Sequence, residues 1–308
     1  MAGVTGLASK RCAFREQGIQ AREKVQVHVV HVRSQVNRRQ HVVVCNSIVQ
    51  AVRLAPEKGA VHTSCTPQRK MSMSDSRSSA PSILIVGASR GLGHAMAEEF
   101  VKRGWNVVGT VRGNTRTKMH ELADRHPDQV EVESADITDA DQLVALRDRL
   151  AQRRFDVLFV NAGIANQKRE DTLVDISTEE FVHVMVTNAL SPMRTIETLE
   201  GLVTEKGLIG IMSSGQGSVA SNEKGGHELY RGSKAALNMF MRSYAARHAD
   251  GARSLLLMAP GWIRTDLGGP DAPFTMEETI PDIVSVVIEK RGRPGLQYLD
   301  RKGKTVPW

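Results

Sequence analysis

The chain is organised around one stretch, Ser82-Ile-Leu-Ile-Val-Gly87-Ala-Ser-Arg-Gly91-Leu-Gly93-His-Ala-Met-Ala97. Its four apolar residues, 83–86, indicate a strand that is buried on both faces, as in a parallel sheet. Three glycines follow within seven positions, and an apolar pattern with helical spacing begins after them. Glycine permits a sharp turn from strand to helix and lets a phosphate approach the N–H groups at the helix N-terminus. The stretch therefore predicts a phosphate-binding loop, although a βα turn without a ligand can show the same pattern.

Charge and cysteine content divide the chain into two unlike parts. The net charge of the 308 residues is +7, but residues 1–80 alone carry 13 Lys and Arg against 4 Asp and Glu. The remainder is nearly neutral, which argues against a nucleic-acid partner. All three cysteines, at positions 12, 45 and 65, also lie in the first part. We therefore expect neither a disulfide nor a metal site in residues 81–308.

Residues 1–80 contain few patterns that would fold, and we expect a disordered, basic extension. Two origins stay open: an Arg-rich organelle presequence, or translation from a misplaced start upstream of Met71 or Met73, which we favour. The chain has no apolar run long enough to span a bilayer and no apolar core of a secretory signal at its start. We expect a cytoplasmic protein with no membrane partner.

Strand and helix patterns alternate through the rest of the chain. Further strands are predicted over 105–111, 130–135, 155–160, 208–212, 254–258 and 296–299. Helices are predicted after each of the first six strands, including a long one over 177–200 that opens with capping-box spacing. This alternation predicts one α/β domain over 81–308, a single doubly wound parallel sheet of the Rossmann-like class with helices on both faces. Ligands of such sheets bind beyond the carboxyl ends of the strands.

Tyr230 and Lys234 form a second candidate motif. Four residues apart on a helix, their side chains share one face and can meet. An unperturbed tyrosine has a pKa near about 10, and a neighbouring lysine charge would lower it, which would make the phenol a better proton donor and acceptor at neutral pH. The same spacing also occurs by chance in a surface tyrosine with a solvated lysine.

Together these features resemble the short-chain dehydrogenase/reductase family over essentially all of residues 82–308. The loop has the family's Gly-x-x-x-Gly-x-Gly spacing, residues 161–163 match its Asn-Ala-Gly signature, and 260–265 match its Pro-Gly-x-x-x-Thr segment. Asn188 matches its catalytic asparagine. The segment 262–270, the lengthened loop 214–230 and the ending 300–308 are similar to the C-factor and sniffer-like carbonyl reductases within the family.

The resemblance implies a role for each matching residue. Tyr230 would be the general acid for carbonyl reduction, Lys234 would lower its pKa and hold the nicotinamide ribose, and Asn188 would support a water-mediated proton relay. Ser214, at the end of the fifth strand, would bind the substrate oxygen, whereas Ser218 would be a turn residue. The resemblance also assigns cofactor contacts, to Gly87, Ser89, Arg90, Gly91, Leu92, Gly93, Arg112, Asp136, Ile137, Asn161, Ala162, Gly163, Tyr230, Lys234, Pro260, Gly261, Ile263 and Thr265.

Two positions depart from the family pattern. Val86 stands where the family usually has threonine, and Val160 where it usually has a second asparagine. Both side chains normally brace loops, so their absence bears on local rigidity and not on the reacting atoms.

The end of the second predicted strand bears on cofactor choice. NAD-specific members place a carboxylate there for the ribose hydroxyls. This chain has Val111 and Arg112 at that position, and the guanidinium groups of Arg112 and Arg90 could together bind a 2′-phosphate. The alternative is that both arginines are solvated surface residues that bind no phosphate. We predict NADP (NADPH) as the cofactor.

We therefore expect an oxidoreductase that transfers hydride between NADP(H) and a small carbonyl or alcohol. The alternatives are an NADP-sensing regulator without turnover and a nucleotide-sugar epimerase relative, whose C-terminal substrate region is missing here. By analogy with the family we expect a homodimer or homotetramer. Loops 215–229 and 264–275 are expected to shape the substrate pocket.

Overall fold

A computed structural model describes residues 80–308, so the expectations for the N-terminal extension lie outside the described residues except at position 80. The described chain forms one sheet of seven parallel strands in the order β3-β2-β1-β4-β5-β6-β7. From β1 to β7 the strands span Ser82–Val86, Asn106–Val111, Val130–Ser134, Phe155–Val160, Val203–Met212, Ser254–Ala259 and Gly295–Asp300. The order doubles back at β1 and β4, which confirms the predicted doubly wound sheet.

Seven α-helices connect the strands. From α1 to α7 they span Gly91–Lys102, Lys118–Arg125, Ala140–Arg149, Thr178–Met185, Ser191–Leu199, Glu228–Arg247 and Met276–Lys290. The predicted cap at the start of α4 is present, because the Ser177 hydroxyl accepts a hydrogen bond from the Glu180 N–H at 3.1 Å. No helix within residues 80–308 has the length and apolar character needed to cross a membrane.

The two faces of the sheet carry separate hydrophobic clusters. Alternate residues of β1 point in opposite directions, so Ile83 and Ile85 pack with α1 and α7 while Leu84 and Val86 pack with α3, α5 and α6. All four residues are fully buried. This two-sided burial explains why the strand reads as an unbroken apolar run in the sequence.

Three boundaries differ from the prediction. Strand β5 begins at Val203, five residues before the predicted start. The prediction missed this part of the strand because residues 204–206 are polar and lie at the edge of the core, so they do not continue the apolar run. The second helix, which the sequence predicts over 114–126, is α2 and begins only at Lys118, where the Thr117 N–H donates to the His120 imidazole at 3.1 Å. The predicted long helix over 177–200 is interrupted by a π-helical turn at Val186–Leu190.

Candidate active site

The carboxyl ends of the strands open into a cleft. It is lined by all but two of the residues that the sequence predicts for the site, including Ser214, Tyr230 and Lys234. The two exceptions are Gly93 and Asn188, which lie behind the lining. Residues far apart in the chain thus meet at the place where a doubly wound sheet binds its ligands.

Gly93 allows the glycine loop to fold tightly. A Cβ at this position would lie 2.1 Å from the carbonyl oxygen of Gly87, which only glycine can tolerate. Gly87 itself has a φ of 92°. The predicted sharp turn from strand into helix is therefore confirmed by the backbone.

Two other side chains form hydrogen bonds to this loop. Val86 and Val160, which replace the family's usual threonine and asparagine, have no polar side-chain group with which to do so. The Thr110 hydroxyl accepts a hydrogen bond from the Gly87 N–H at 3.0 Å, and the Asn161 amide donates to the Gly87 carbonyl oxygen at 2.9 Å. Thr110 was not singled out from the sequence. Its position just before the end of β2 was the available signal, because β2 lies beside β1 in the sheet.

Tyr230 lies in the first turn of α6, with Ser214 facing it across the cleft. Burial raises the pKa of the Tyr230 phenol, while interaction with the Ser214 hydroxyl and the positive charge of Arg169 act to lower the pKa. The sequence predicted that Lys234 would lower this pKa. In the structure the Lys234 Nζ lies 5.8 Å from the centroid of the Tyr230 ring, and the expectation is wrong for the free protein: Lys234 is not among the groups that lower the Tyr230 pKa, and burial raises that pKa overall.

Lys234 lines the cleft and is almost fully buried. Its Nζ donates to the carbonyl oxygen of Met212 at 3.1 Å, which fixes the ammonium at the end of β5. Burial lowers the pKa of Lys234 to about 8. The lysine therefore titrates close to neutral pH, which is unusual for a group that is normally charged up to about pH 10.

This lowered pKa predicts a pH dependence of stability. Above pH 8 the folded lysine has lost its proton, whereas the unfolded lysine keeps it until about 10.4, so the free energy of unfolding rises with pH in this interval. We expect Lys234→Met to remove a rise of at most about 1.4 kcal/mol per pH unit. Urea unfolding of parent and variant at pH 8 and about pH 9.5 measures the difference, below the range in which tyrosines titrate. Parallel pH dependence in the two proteins would contradict it.

Asn188 lies in the π-helical turn and is fully buried. Its side chain accepts from the Ile164 N–H at 2.8 Å and donates to the Ile164 carbonyl oxygen at 2.8 Å and to the Ser233 hydroxyl at 3.0 Å. These bonds hold the loop that follows the Asn-Ala-Gly signature. A π-turn inside an α-helix is frequent at functional sites, and here it carries the residue that ties the loop to α6.

The three candidate serines have distinct surroundings. The Ser213 hydroxyl donates to the Asn238 amide oxygen at 2.6 Å inside the core. The Ser214 side chain lies in the cleft, where it also accepts from the Gln216 N–H at 3.2 Å. The Ser218 hydroxyl accepts from the Ser221 N–H at 3.1 Å, and the residue does not line the cleft. The prediction that Ser218 is a turn residue is confirmed.

The C-terminal segment forms hydrogen bonds to the loop that follows β5 and carries Ser214. The Tyr298 hydroxyl on β7 donates to the carbonyl oxygen of Ser214, and the ring of Trp308 packs on that of Tyr298 with centroids 5.3 Å apart. The Trp308 carbonyl oxygen accepts from the Ala220 N–H at 2.8 Å. The sequence did not reveal these contacts, because local patterns do not report pairs so distant along the chain.

The end of β2 presents Arg112 to the cleft, after the buried Val111. Arg90, the second arginine predicted for a 2′-phosphate, also lines the cleft, and its Nη1 pairs with the Asp266 carboxylate at 3.1 Å. Both side chains of this pair are mostly exposed, at 77% and 82%. Such a surface pair is weak and occupies only one of the guanidinium nitrogens, so the other N–H donors of Arg90 can bind a phosphate while the pair persists.

The match to a family model decides the family. A model described as enoyl-(acyl carrier protein) reductase matches residues 87–281, which is most of the described chain and includes the glycine loop, Ser214, Tyr230 and Lys234. The chain belongs to the short-chain dehydrogenase/reductase family. The resemblance inferred from the sequence motifs is thereby confirmed.

Individual relatives extend this similarity. The chain is 32% identical to the C-signal protein of Myxococcus xanthus over 155 residues, which are 50% of this chain and 92% of that protein. A structure from Burkholderia multivorans with bound NADP is 60% identical, with a TM-score of 0.74 over 75% of this chain and 100% of that one. A carbonyl reductase from Pseudomonas aeruginosa PAO1 in complex with NADP is 34% identical, with a TM-score of 0.69 over the same shares.

Proposed function

We propose that this short-chain dehydrogenase/reductase uses NADP(H) to interconvert a carbonyl and an alcohol on a small organic substrate. The observation that carries the proposal is the convergence of the Ser214 hydroxyl, the Tyr230 phenol and the buried Lys234 on one cleft that begins at the glycine loop. A proton donor, an oxygen-binding hydroxyl and a cation in one cleft are what carbonyl reduction requires from a protein.

The residues of the cleft fit NADP. The glycine loop offers N–H groups to the pyrophosphate, and the end of β2 offers the Arg112 cation and no carboxylate to the adenosine ribose. Asp136 and Ile137, which follow β3, line the same region and would border the adenine. The bound cofactor supplies or accepts the hydride. Binding of NADP by the two structural relatives supports this assignment.

The chain's own side chains place the substrate and move the proton. The Ser214 hydroxyl donates a hydrogen bond to the substrate oxygen and stabilises the charge that develops on it. Tyr230 then gives its phenolic proton to that oxygen in reduction, and takes it back in oxidation. Lys234, fixed by Met212, keeps a positive charge beneath the phenolate that forms. Asn188 holds the loop on which the nicotinamide end of the cofactor would rest.

NADPH oxidation with a panel of aldehydes and ketones tests the proposal. Absorbance at the reduced nicotinamide band should fall with at least one of them, and the fall should be lost in Tyr230→Phe. A protein that binds NADPH tightly but turns over nothing in the panel would instead be the sensor that the sequence left as the alternative.

Cofactor choice gives a separate prediction. We expect Arg112→Asp to weaken NADPH binding by about tenfold or more and NADH binding far less, because it replaces a phosphate partner with a repulsive carboxylate. Titration of nicotinamide fluorescence gives both dissociation constants. Arg116→Asp is the matched control, since this nearby arginine does not line the cleft. Equal losses for the two cofactors in Arg112→Asp would contradict the assignment.

We also propose a homodimer or homotetramer. Helices α4 and α6 expose large apolar side chains, with Phe181 and Val182 on the first and Met239 and Phe240 on the second. A cluster of this kind is typical of an interface between copies. Sedimentation velocity should give at least twice the mass of one chain, and a single-chain mass at micromolar concentration would contradict it. A cytoplasmic location stays a prediction.

A further inference from the structure

One cationic side chain in the cleft has no part in the roles assigned so far. Arg169 lies in the loop between β4 and α4, is half-buried, and lines the cleft together with Tyr230. Its charge reaches the phenol, because it opposes the rise in the Tyr230 pKa. The guanidinium is therefore close to the place where the carbonyl of a substrate must sit.

The nearest acidic groups are engaged elsewhere. Among residues 80–308 Arg169 forms no ion pair, and its Nη2 contacts only the backbone carbonyl oxygen of Asp266, at a long 3.4 Å. The carboxylate of Asp266 pairs instead with Arg90. Glu170, the next residue in the loop, lies with its Oε1 3.5 Å from His227 Nε2. The Arg169 charge thus faces the cleft without a carboxylate of its own.

The loop that carries Arg169 is anchored at both sides. The Gln167 N–H donates to the Glu180 carboxylate at 2.7 Å, and the Leu173 N–H donates to the Glu228 carboxylate at 2.9 Å. These bonds tie the loop to α4 and to the first turn of α6, which bears Tyr230. The anchored loop holds the backbone of Arg169 in a fixed position relative to α6, so the side chain stays within reach of the reacting group.

The chain segment that Arg169 contacts also brings apolar side chains to the cleft. Trp262 and Leu267 line it and remain 56% and 39% exposed. The Trp262 indole N–H donates to the Gly268 carbonyl oxygen at 2.7 Å, so its ring is held in place. A ligand in this part of the cleft can therefore contact both a fixed aromatic surface and a cation that has no ion-pair partner among residues 80–308.

We propose that the substrate is a carbonyl compound with an apolar body and a carboxylate, and that Arg169 binds this carboxylate. This inference rests on the proposed carbonyl reduction. The planar guanidinium presents paired N–H donors that match the two oxygens of a carboxylate, which orients the substrate as well as attracting it. With the carboxylate held at Arg169 and the body against Trp262, the carbonyl is directed towards Ser214 and Tyr230.

The test compares 2-, 3- and 4-carboxybenzaldehyde with their methyl esters. The three isomers place the charge at different distances from one carbonyl, and each ester removes the charge alone. For at least one isomer we expect kcat/KM of the acid to exceed that of its ester by about tenfold or more, the scale of a charged hydrogen bond. Arg169→Met should abolish this ratio, and Arg169→Lys should retain part of it. The ratio cancels any effect on Tyr230 that acids and esters share.

Lys168→Met is the matched control, because this neighbouring cation is exposed and does not line the cleft. The acid-to-ester ratio should keep its parent value in this variant. An unchanged ratio in Arg169→Met would overturn the inference. So would a rise of tenfold or more in the NADPH dissociation constant of Arg169→Met, since the guanidinium would then serve the phosphates of the cofactor.

Binding separates this inference from the proposed reaction. If no aldehyde is reduced, the proposed function fails, but benzoate and methyl benzoate can still be titrated into the NADPH complex. Preferential binding of benzoate that Arg169→Met removes would support the anion site without turnover. Equal binding of the acid and the ester to the parent protein would overturn it.

Discussion

Replacement of Tyr230 by phenylalanine is expected to lower kcat for carbonyl reduction by about a thousandfold, within the roughly 10²–10⁴ that general acid catalysis contributes. In the proposed reaction the phenol, which interacts with the Ser214 hydroxyl, donates the proton to the substrate oxygen. Phenylalanine keeps the ring and its packing and removes only that donor. The NADPH dissociation constant should change much less than kcat, because the ring is retained and Lys234 keeps its bond to Met212.

The chain offers two matched controls, because it has only two other tyrosines, which are buried and do not line the cleft. Tyr244 lies on the same helix, where its hydroxyl donates to Glu200 outside the cleft, so Tyr244→Phe should keep the parent kcat. Tyr298→Phe removes the hydrogen bond to the Ser214 carbonyl oxygen and should cost roughly one order of magnitude at most, through placement of the serine. Equal losses in all three variants would indicate destabilisation, and an unchanged kcat in Tyr230→Phe would rule out its role as the acid.

The pH profile adds a readout that a structural role of Tyr230 would not change. If the proposed mechanism holds, deprotonation of Lys234 near its pKa of about 8 removes the charge that stabilises the Tyr230 phenolate in the parent protein. We expect kcat for reduction to fall as pH rises through this value. In Tyr230→Phe the residual rate has no phenolate to stabilise, so the inflection should disappear.

The sequence predicted those parts of the fold that local pattern determines. Strand β1 and the glycine loop are recognisable because burial on both faces leaves an apolar run, and because the close contact of Gly93 with Gly87 requires glycine. The ends of β2 and β4 follow from the same pattern. Since the carboxyl ends of parallel strands share one edge, the residues that follow them could be placed together without a structure.

Contacts between distant segments could not be predicted in this way. Thr110 replaces a missing loop brace from the neighbouring strand, and Tyr298 reaches Ser214 across 84 positions of sequence. The π-turn around Asn188 leaves no mark in the apolar pattern, because one extra residue per turn shifts the helical period only locally. Arg169 reads in the sequence as one of several loop charges. Whether its charge is paired depends on which carboxylates lie near it, and these come from segments that only folding brings together.

The choice of catalytic serine is the point at which sequence and structure can be tested together. The commonest family spacing, thirteen residues before the tyrosine, falls on Gly217, which has no hydroxyl. A Cβ at Gly217 would lie 2.8 Å from the Asn238 amide nitrogen, so the loop must pass close to α6 there. The lengthened loop therefore shifts the register and leaves Ser213, Ser214 and Ser218 as candidates.

We expect Ser214→Ala to lower kcat by roughly a hundredfold or more, the scale of a lost oxyanion donor. Ser213 and Ser214 both line the cleft, but the Ser213 hydroxyl is bonded to Asn238, whereas the Ser214 hydroxyl interacts with the Tyr230 phenol. Ser218→Ala is the matched control. It removes only the two turn-stabilising hydrogen bonds to Ser221 and should stay within a few-fold of the parent kcat, with a lower melting temperature as its main effect. Steady-state kinetics with one aldehyde, and thermal unfolding of both variants, measure the two outcomes. A reversed order of the kcat losses would show that the loop brings Ser218 to the substrate, and the register assigned to the whole segment 213–230 would then be wrong.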